Sequence, residues 1–416
     1  MKTTPFLRHL AMSFLSLSLV MSSCTRQQQL EDITPDGKKA NNPESATDVG
    51  IMATATIDAN TVQQTIQGFG GMSVPIWIGD LTADQRTKAF SSSSGIGMSI
   101  LRVMVPSSSS QFAAEKTTID VAKSYGAKVI ATAWNAPSSM MDGLYLRASA
   151  WGDYAAHLRA YTQAVGGVYA LSPWNEPNYM ASGWMHASAA EIGNFIAAQG
   201  DNCGAPIMCP EPFNMDQTFI NTYLSNATAK SKTLFVSGHI YGKTPYNLGN
   251  IGKSVWMTEH YTNSSISGND WPNAMNAAKE IHDCMTAGWA AYVWWYIRRS
   301  YGPIDENSNI TKVGYVMAHF ARYIRPGYTK IACSANPTTG VYTTAYKSGS
   351  KIVLIAINTN AAVTYQPFTI SGVMINSFNR YVTTSSSNLE PSSFSISNNA
   401  FGINLPASSI TTLVSN

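Results

Sequence analysis

Charged residues are scarce in this 416-residue sequence. They make up 12% of it, and the formal net charge at pH 7 is only +3. Lysine and arginine never form a run longer than a pair such as Arg298-Arg299. Because nucleic-acid binding needs clustered basic residues, this composition excludes nucleic acid as a partner.

Cysteine is also scarce, with five residues, and none of the spacings matches a set of metal ligands. We therefore expect no metal and no organic cofactor. Cys203 and Cys209 are near enough in sequence for a disulfide in an oxidising compartment, but buried thiols are the alternative, and the sequence leaves the choice open.

No segment has the roughly 20 consecutive apolar residues of a membrane-spanning helix. An apolar, serine-containing stretch at 10–20 follows Lys2 and Arg8 and closes on Met21-Ser22-Ser23-Cys24. This order predicts a lipoprotein-type signal peptide at 1–24, with Cys24 as the lipidated first mature residue. Ordinary signal cleavage is the alternative. We expect an exported protein whose only membrane contact is the lipid anchor, in the cell envelope, or else a secreted one.

The remaining chain divides by its composition. Residues 25–50 contain no aromatic side chain and predict a flexible linker. From 51 to 330, apolar strand-like runs alternate with amphipathic stretches. The predicted strands are 65–74, 99–105, 128–135, 168–177, 206–213, 234–242, 254–261 and 290–298, and the predicted helices are 82–91, 116–125, 151–164, 187–199 and 271–287.

Eight such units predict an α/β fold, a closed (β/α)8 TIM barrel. An open doubly wound sheet is the competitor, but Gly68-Phe69-Gly70-Gly71 has the wrong spacing for its phosphate-binding turn. Residues 331–416 contain short β-patterned runs between turns, which predicts an antiparallel β-sandwich side domain. Residues 51–64 are expected to pair with that domain. Serine patches at 385–387 and 392–393 are interpreted as loops.

Two glutamates follow apolar runs beside tryptophan, Glu176 at the end of the fourth predicted strand and Glu259 at the end of the seventh. Barrel closure brings the carboxyl ends of all strands to one face. A pair of carboxylates there is what glycoside hydrolysis requires, one to protonate the leaving oxygen and one to act below the sugar ring. Pairing of each glutamate with a nearby arginine is the purely structural alternative. The 10 tryptophans and 20 tyrosines provide aromatic rings suited to stacking against a neutral or weakly acidic polymer.

Several long motifs occur in an order that resembles one known family. They are IQGFGGM at 66–72, WNAPS at 134–138, NEP at 175–177, WMTE at 256–259, YVWWYIRRSYGP at 292–303, MAHF at 317–320 and SSSNL at 385–389. On these motifs, the chain from about residue 55 to its last residue resembles glycoside hydrolase family 30, specifically the bacterial glucuronoxylanase subfamily, subfamily 8.

The resemblance implies a barrel with a fused β domain, a retaining mechanism and xylan as substrate. By motif, Glu176 matches the general acid/base and Glu259 the nucleophile. Asn175 is then expected to bond the sugar 2-hydroxyl. Trp134 and Tyr241 match residues that line the site, although Trp134 suits the core equally well.

The same resemblance assigns a second binding site. Arg299 matches an arginine that binds a 4-O-methylglucuronate branch, with Tyr296 and Tyr301 as helpers. Tyr261 and Ser264 match further hydroxyl donors. A guanidinium suits a carboxylate because it donates two parallel hydrogen bonds. The alternative is an Arg298-Arg299 pair that bridges barrel and side domain, and we expect Arg298 alone to be structural.

Three other residues are open to two interpretations. Arg102 either keeps the nucleophile ionised or ties strands together. His239 is either a site residue or a hydrogen-bonded core histidine. Glu211 is interpreted as a supporting carboxylate.

The sequence also departs from the family pattern. Trp174 precedes NEP where glutamine is usual, His260 and Thr262-Asn263 follow the nucleophile, and the loop at 138–151 is short. We expect a monomeric endo-β-1,4-xylanase that recognises glucuronate. A xylanase without glucuronate dependence, acting on unsubstituted xylan or another β-linked glycan, is one alternative. A non-catalytic polysaccharide-binding lipoprotein is the other.

Overall fold

The computed structural model describes residues 53–416. The predicted signal peptide, Cys24 and the predicted linker lie outside the described residues. Within 53–416, no helix is both long enough and apolar enough to cross a membrane.

Strands and helices are numbered here in chain order over the described residues. The strands are β1 (Ala55–Thr65), β2 (Gly68–Ser73), β3 (Ile100–Val105), β4 (Lys128–Ala133), β5 (Met141–Asp142), β6 (Tyr145–Leu146), β7 (Ala170–Ser172), β8 (Ile207–Pro210), β9 (Thr233–His239), β10 (Val255–His260), β11 (Ala291–Tyr296), β12 (Thr329–Cys333), β13 (Val341–Ser348), β14 (Lys351–Asn358), β15 (Thr364–Ser371), β16 (Ser377–Thr383), β17 (Glu390–Ser395), β18 (Ala400–Leu405) and β19 (Ser409–Ser415). The α-helices are α1 (Pro75–Ile78), α2 (Ala83–Phe90), α3 (Lys116–Ser124), α4 (Trp151–Ala164), α5 (Ala189–Gln199), α6 (Gln217–Leu224), α7 (Ala227–Lys232), α8 (Trp271–Thr286) and α9 (Lys312–Ala321). Short 3-10 helices cover Ser109–Glu115, Ser138–Met140, Ala148–Ala150 and Gly200–Asn202.

Eight parallel strands close into a barrel in the order β2-β3-β4-β7-β8-β9-β10-β11, with β11 hydrogen-bonded back to β2. These strands are runs of apolar residues buried on both faces, as parallel strands covered by helices must be. The closed barrel confirms the predicted fold and excludes the open sheet. It also makes β7 the fourth barrel strand and β10 the seventh.

Local sequence signals fix where several barrel helices begin. A capping box starts α2, in which Thr82 and Gln85 exchange side-chain and backbone hydrogen bonds. Ser188 and Glu191 do the same at the start of α5. Each box satisfies backbone N–H groups that the first helical turn leaves without partners. Helices α6, α7 and α9 were not predicted from the sequence.

The side domain is one nine-stranded sheet, in the order β17-β16-β19-β14-β13-β12-β1-β15-β18. Its pairs are antiparallel except for β1 with β15. The sheet curls, so that Phe378 and Phe394 from one end meet Phe401 from the other, with ring centroids 5.3 and 5.8 Å away. An apolar core fills the space between the two halves.

Two expectations about the side domain need correction. Ser392 and Ser393 lie in strand β17 rather than in a loop. The burial pattern explains the miss, because this edge strand is almost entirely exposed and so lacks a buried face to mark it. Arg298 does not bridge to the side domain. Its guanidinium instead donates to the carbonyl oxygens of Ile78, Gly79 and Asp80, after α1.

Contacts between helices and the side sheet join the two parts. His319 of α9 is buried between the hydroxyls of Thr412, 2.7 Å from Nδ1, and Thr383, 2.8 Å from Nε2. The indole N–H of Trp271, the first residue of α8, donates to the carbonyl oxygen of Ser408 at 2.9 Å. The barrel therefore has a rigid lateral support on the side of its last two helices.

Candidate active site

Glu176 and Glu259 lie together at the carboxyl ends of the barrel strands. Glu259 is in β10, and Glu176 follows β7 in a turn. Both side chains are largely buried, with 6% and 5% of each residue exposed. One ligand atom of each carboxylate and one nitrogen of His239 lie within 4.8 Å of one another.

Glu176 and Glu211 share an unusual backbone conformation. Their φ angles are +46° and +57°, in the left-handed region that costs a residue with a Cβ roughly 1–2 kcal/mol. The backbone N–H of Glu176 donates to the carbonyl oxygen of Glu211 at 3.1 Å, so the two strained turns are joined. Strain of this kind concentrates where a fold must direct a side chain into a site.

Arg102, in β3, lies at the centre of the site and is fully buried. Its Nη1 donates to Glu259 Oε2, while its Nη2 donates to Asn175 Oδ1 at 2.7 Å and to Glu211 Oε1 at 3.0 Å. A buried guanidinium needs such partners to offset its desolvation. Arg102 ties four strand ends together, as one of its two interpretations expected, and it also contacts the predicted nucleophile Glu259.

His239, at the end of β9, contacts the other side of the carboxylates. Its Nδ1 lies 2.8 Å from Glu176 Oε1, and its Nε2 lies 3.4 Å from Glu211 Oε1. Burial alone would lower the pKa of this imidazole. The charges and hydrogen bonds of Glu259, Glu176 and Glu211 outweigh burial and raise the pKa to about 9. His239 is therefore a cation at neutral pH and part of the site, not of the apolar core.

The carboxylates respond to these neighbours in opposite directions. Burial raises the pKa of Glu176, and the charge of Glu259 adds to this, although the hydrogen bond from His239 partly opposes it. Burial also disfavours ionisation of Glu211, but Arg102 and His239 outweigh it and lower the pKa of that carboxyl. The site thus makes Glu176 hold a proton more readily than an ordinary glutamate does, and Glu211 less readily.

An open cleft of about 360 Å³ lies over the two glutamates. It is lined by Glu176, Tyr179, Phe213, Tyr241, Glu259, Tyr261 and Trp295. The hydroxyl of Tyr241 donates to Glu259 Oε1 at 2.9 Å. A larger groove of about 780 Å³, between residues 107–109 and 135–144, contains neither glutamate.

Tryptophan rings form one wall of the cleft, and the sequence predicted only one of them, Trp134. Trp134, expected to border the sugar, is 2% exposed and packs edge-on against Trp77 at 5.7 Å. Trp295 contacts both rings and also lines the cleft. Trp184 stacks on Trp77 at 5.7 Å, which completes a four-tryptophan cluster. Each of the three unpredicted tryptophans follows or ends a barrel strand, which is the signal that could have found them.

A second group of rings in the cleft lining consists of Tyr179, Phe213 and Tyr241, of which only Tyr241 was predicted. Tyr179 and Phe213 stack with ring centroids 4.2 Å apart and planes inclined by 9°. Phe213 in turn lies 5.5 Å from Tyr241. Tyr179 comes three residues after Glu176, and Phe213 two after Glu211, so nearness to strand-end carboxylates would have marked both.

The residues predicted to bind a side branch also cluster. Tyr261 and Tyr301 rings lie 5.3 Å apart, and the guanidinium of Arg299 lies 5.3 Å from the Tyr296 ring. Burial raises the pKa of Tyr296 to about 12, so its hydroxyl keeps its proton. Ser264 is exposed in the loop after β10 and, among residues 53–416, makes no side-chain hydrogen bond that would hold it in this cluster.

The structure locates residues that depart from the family pattern. Trp174 is buried away from the cleft, where its ring meets Phe195 at 5.1 Å. His260 extends to the outside of the barrel strand, with Nδ1 2.8 Å from Glu280 Oε1 and its ring 4.9 Å from that of Tyr241. Cys203 and Cys209 are both buried and free, which decides the disulfide question in favour of thiols.

Glu176, His239 and Glu259 form a set of side chains with the spacing of metal ligands. A cation there would lie beside the guanidinium of Arg102 and would have to displace the proton of an imidazole whose pKa is raised to about 9. The donor set therefore fits a hydrogen-bonded charge network better than a metal.

The fold and the paired carboxylates define a glycoside hydrolase of the (β/α)8 class. Glucuronoxylanase XynC from Bacillus subtilis (strain 168) is 37% identical over 396 residues, which cover 89% of this chain and 94% of that protein. A family 30 endoxylanase from Clostridium papyrosolvens C71 superposes with a TM-score of 0.81 at 31% identity, covering 88% of this chain and 100% of the other.

A third relative is Xyn30A, a glycoside hydrolase family 30 subfamily 8 xylanase from Clostridium acetobutylicum. It has a TM-score of 0.81 and 29% identity, over 87% of this chain and 99% of the other. No protein-family model matches the chain. The chain belongs to glycoside hydrolase family 30, within subfamily 8.

Proposed function

We propose that this glycoside hydrolase is a retaining endo-β-1,4-xylanase that acts on glucuronoxylan and recognises its glucuronate branch. The spacing of the two glutamates supports this most directly, since an oxygen of each lies within 4.8 Å of the other. Retaining glycosidases hold their carboxyl groups about 5–5.5 Å apart, whereas inverting ones need roughly 6.5–9.5 Å to admit a water molecule. The named activities of the relatives supply the substrate class.

In the first step, Glu176 gives its proton to the leaving glycosidic oxygen as the bond to the anomeric carbon breaks. The Glu259 carboxylate forms the new bond to that carbon. In the second step, Glu176 takes a proton from water, the water oxygen attacks the anomeric carbon, and the bond to Glu259 breaks. The raised pKa of Glu176 suits the first step, because a general acid must hold the proton that it donates.

The neighbours of Glu259 keep it ready to attack. Arg102 Nη1 and the Tyr241 hydroxyl each donate to a different oxygen of its carboxylate. These donors fix the orientation of the carboxylate, and orientation of a nucleophile is a large part of catalysis. Asn175, held by Arg102 at 2.7 Å, is placed to bond the sugar 2-hydroxyl.

Arg299 is proposed to bind the carboxylate of the glucuronate branch, with Tyr296, Tyr301, Tyr261 and Ser264 as hydroxyl donors. Among residues 53–416, Arg299 has no carboxylate ion-pair partner. Arg298, by contrast, is committed to backbone carbonyls. A half-buried guanidinium with no carboxylate partner in the described part of the chain is a suitable receptor for a substrate carboxylate.

Substrate comparison tests the branch recognition. Wild type should hydrolyse glucuronoxylan much faster than arabinoxylan, and Arg299→Ala should lose most of the former activity. Arg299→Lys, which keeps the charge but not the two-pronged donor, should recover only part of it. Equal wild-type rates on both polymers would favour the alternative xylanase without glucuronate dependence.

The stereochemistry tests the mechanism. Proton NMR of the first products should show the β-anomer before mutarotation, and initial release of the α-anomer would rule out retention. Wild-type protein that releases no sugar from any xylan would favour the alternative of a non-catalytic polysaccharide-binding lipoprotein.

We also propose that the protein is exported and anchored through a lipid on Cys24. The supporting feature is the order of charge, apolar stretch and small residues at 1–24. Cys24→Ala should move the protein from the membrane fraction to the soluble fraction. Equal membrane association of both forms would contradict the anchor.

A further inference from the structure

We infer that the stacked rings of Tyr179, Phe213 and Tyr241, here called the aromatic column, bind the xylosyl residues of the leaving chain. Binding there would determine which glycosidic bond of the polymer lies at the catalytic glutamates. This inference rests on the proposed function, since it assumes that Glu176 is the acid/base.

The column is a built feature of the cleft rather than a chance contact. Phe213 is sandwiched between Tyr179 at 4.2 Å and Tyr241 at 5.5 Å. Two hydrogen bonds hold the loops that carry the rings. The backbone N–H of Phe213 donates to Asn178 Oδ1 at 2.9 Å, and that of Tyr179 donates to the carbonyl oxygen of Glu176 at 2.9 Å. The turn of the acid/base therefore also fixes the column.

The inner end of the column lies at the reacting carboxylates. Tyr241 bonds Glu259 directly, at 2.9 Å. The outer end, Tyr179, is 37% exposed although it is a large aromatic residue. Exposed rings at the rim of a cleft offer apolar surface that core packing does not explain. The edge of the column thus runs from the catalytic centre to solvent along one wall of the cleft.

The position of Glu176 indicates which part of the substrate lies there. A general acid must contact the glycosidic oxygen that leaves, so the leaving chain extends on the side of Glu176. Tyr179 belongs to the same turn as Glu176. Of the tryptophan cluster, only Trp184 shares the loop of Glu176, whereas Trp77, Trp134, Trp295 and Arg299 lie in or after the first, third and eighth barrel strands. The aromatic column is therefore available to the leaving chain.

Xylosyl rings suit such a wall. Each ring has an apolar face of C–H groups and lacks a charged substituent, and aromatic side chains bury such faces while their edges and hydroxyls accept or donate hydrogen bonds. The column carries no charge, so it offers the substrate neither an ion pair nor a metal ligand.

The experiment uses two xylo-oligosaccharides that carry the same glucuronate branch but differ in the leaving side, with one or three xylosyl residues. Wild type should have the higher kcat/KM on the longer substrate. Tyr179→Ala should lose about tenfold on the longer substrate and little on the shorter one. Tyr179→Phe should behave like wild type, because it keeps the ring.

Met180→Ala is the matched control, since Met180 is the neighbouring residue and 61% exposed. It should leave both rates unchanged, and all variants should keep the wild-type melting temperature. Equal losses on both substrates, or the same loss in Met180→Ala, would overturn the inference. So would wild-type rates that do not depend on the length of the leaving chain. If wild type cleaves neither substrate nor glucuronoxylan, the proposed function itself fails.

Discussion

His239 allows a quantitative test of the electrostatics in the site. The imidazole is fully buried, and its two nitrogens face Glu176 and Glu211, with Glu259 Oε2 at 3.9 Å. Burial and the Arg102 guanidinium, 3.4 Å from Nε2, both disfavour a charge on the imidazole. The three carboxylates outweigh both and raise the pKa to about 9. We predict that folding stability depends on pH through this one side chain.

The size and direction of the effect follow from the pKa. The ordinary value is 6.5, and the folded value is about 9. One pKa unit corresponds to about 1.4 kcal/mol, so the bound proton contributes about 3 kcal/mol to the free energy of unfolding. Because the folded protein binds the proton more tightly than the unfolded chain, the contribution is complete below pH 6.5. It is lost progressively as the pH rises through about 9.

Chemical denaturation at a series of pH values measures this. Between pH 6.5 and 9.5 the wild type should lose about 3 kcal/mol more than His239→Gln, which does not titrate. His157→Gln is the control, because burial lowers the pKa of His157 and its imidazole stays neutral over this range. Parallel pH profiles for wild type and His239→Gln would refute the reasoning. NMR titration of ring-labelled histidine reads the same pKa directly.

Three further predictions concern residues around the site and the domain contact. Arg102→Met should lower the free energy of unfolding by about 3–5 kcal/mol in chemical denaturation, because buried carboxylates lose their partner; a loss below 1 kcal/mol would contradict this. His260→Ala should lower kcat roughly tenfold with little change in KM, since Tyr241 loses a packing partner and holds Glu259 less well, whereas an unchanged kcat would show that Tyr241 needs no such support. His319→Leu should cost about 1–3 kcal/mol in thermal unfolding, because the buried hydroxyls of Thr383 and Thr412 each lose their hydrogen bond to the imidazole; an unchanged melting temperature would contradict it.

The barrel was predictable because its strands carry their own signal. A parallel strand buried on both faces is a continuous apolar run, and each of the eight predicted runs overlaps a barrel strand. Barrel closure then forces the fourth and seventh strand ends onto one face. The closeness of Glu176 and Glu259 thus followed from topology alone, although their separation did not.

The network behind the two glutamates was not predictable in the same way. Arg102, Glu211 and His239 are single polar residues in apolar strands, and a sequence gives no information on which of them bond to one another. Their pairing depends on inward alternation in three different strands and on left-handed turns at Glu176 and Glu211. The residues with positive φ are glutamates rather than glycine or asparagine, so the sequence does not mark these positions as left-handed.

The few charged residues of the active site balance one another throughout the proposed reaction. In the proposed acid step Glu176 carries the proton that it donates, and two cations, Arg102 and His239, then face two anions, Glu211 and Glu259. In the covalent intermediate Glu259 becomes a neutral ester and Glu176 becomes the anion, so the balance of two cations and two anions is kept. A buried site stabilises charge poorly, and a cycle that moves one negative charge between two carboxylates without changing the total avoids that cost. Buried Arg102 and protonated His239 supply the two positive charges that keep this exchange neutral. Arg102 donates to Glu259 and Glu211, and His239 contacts Glu176 and faces Glu259.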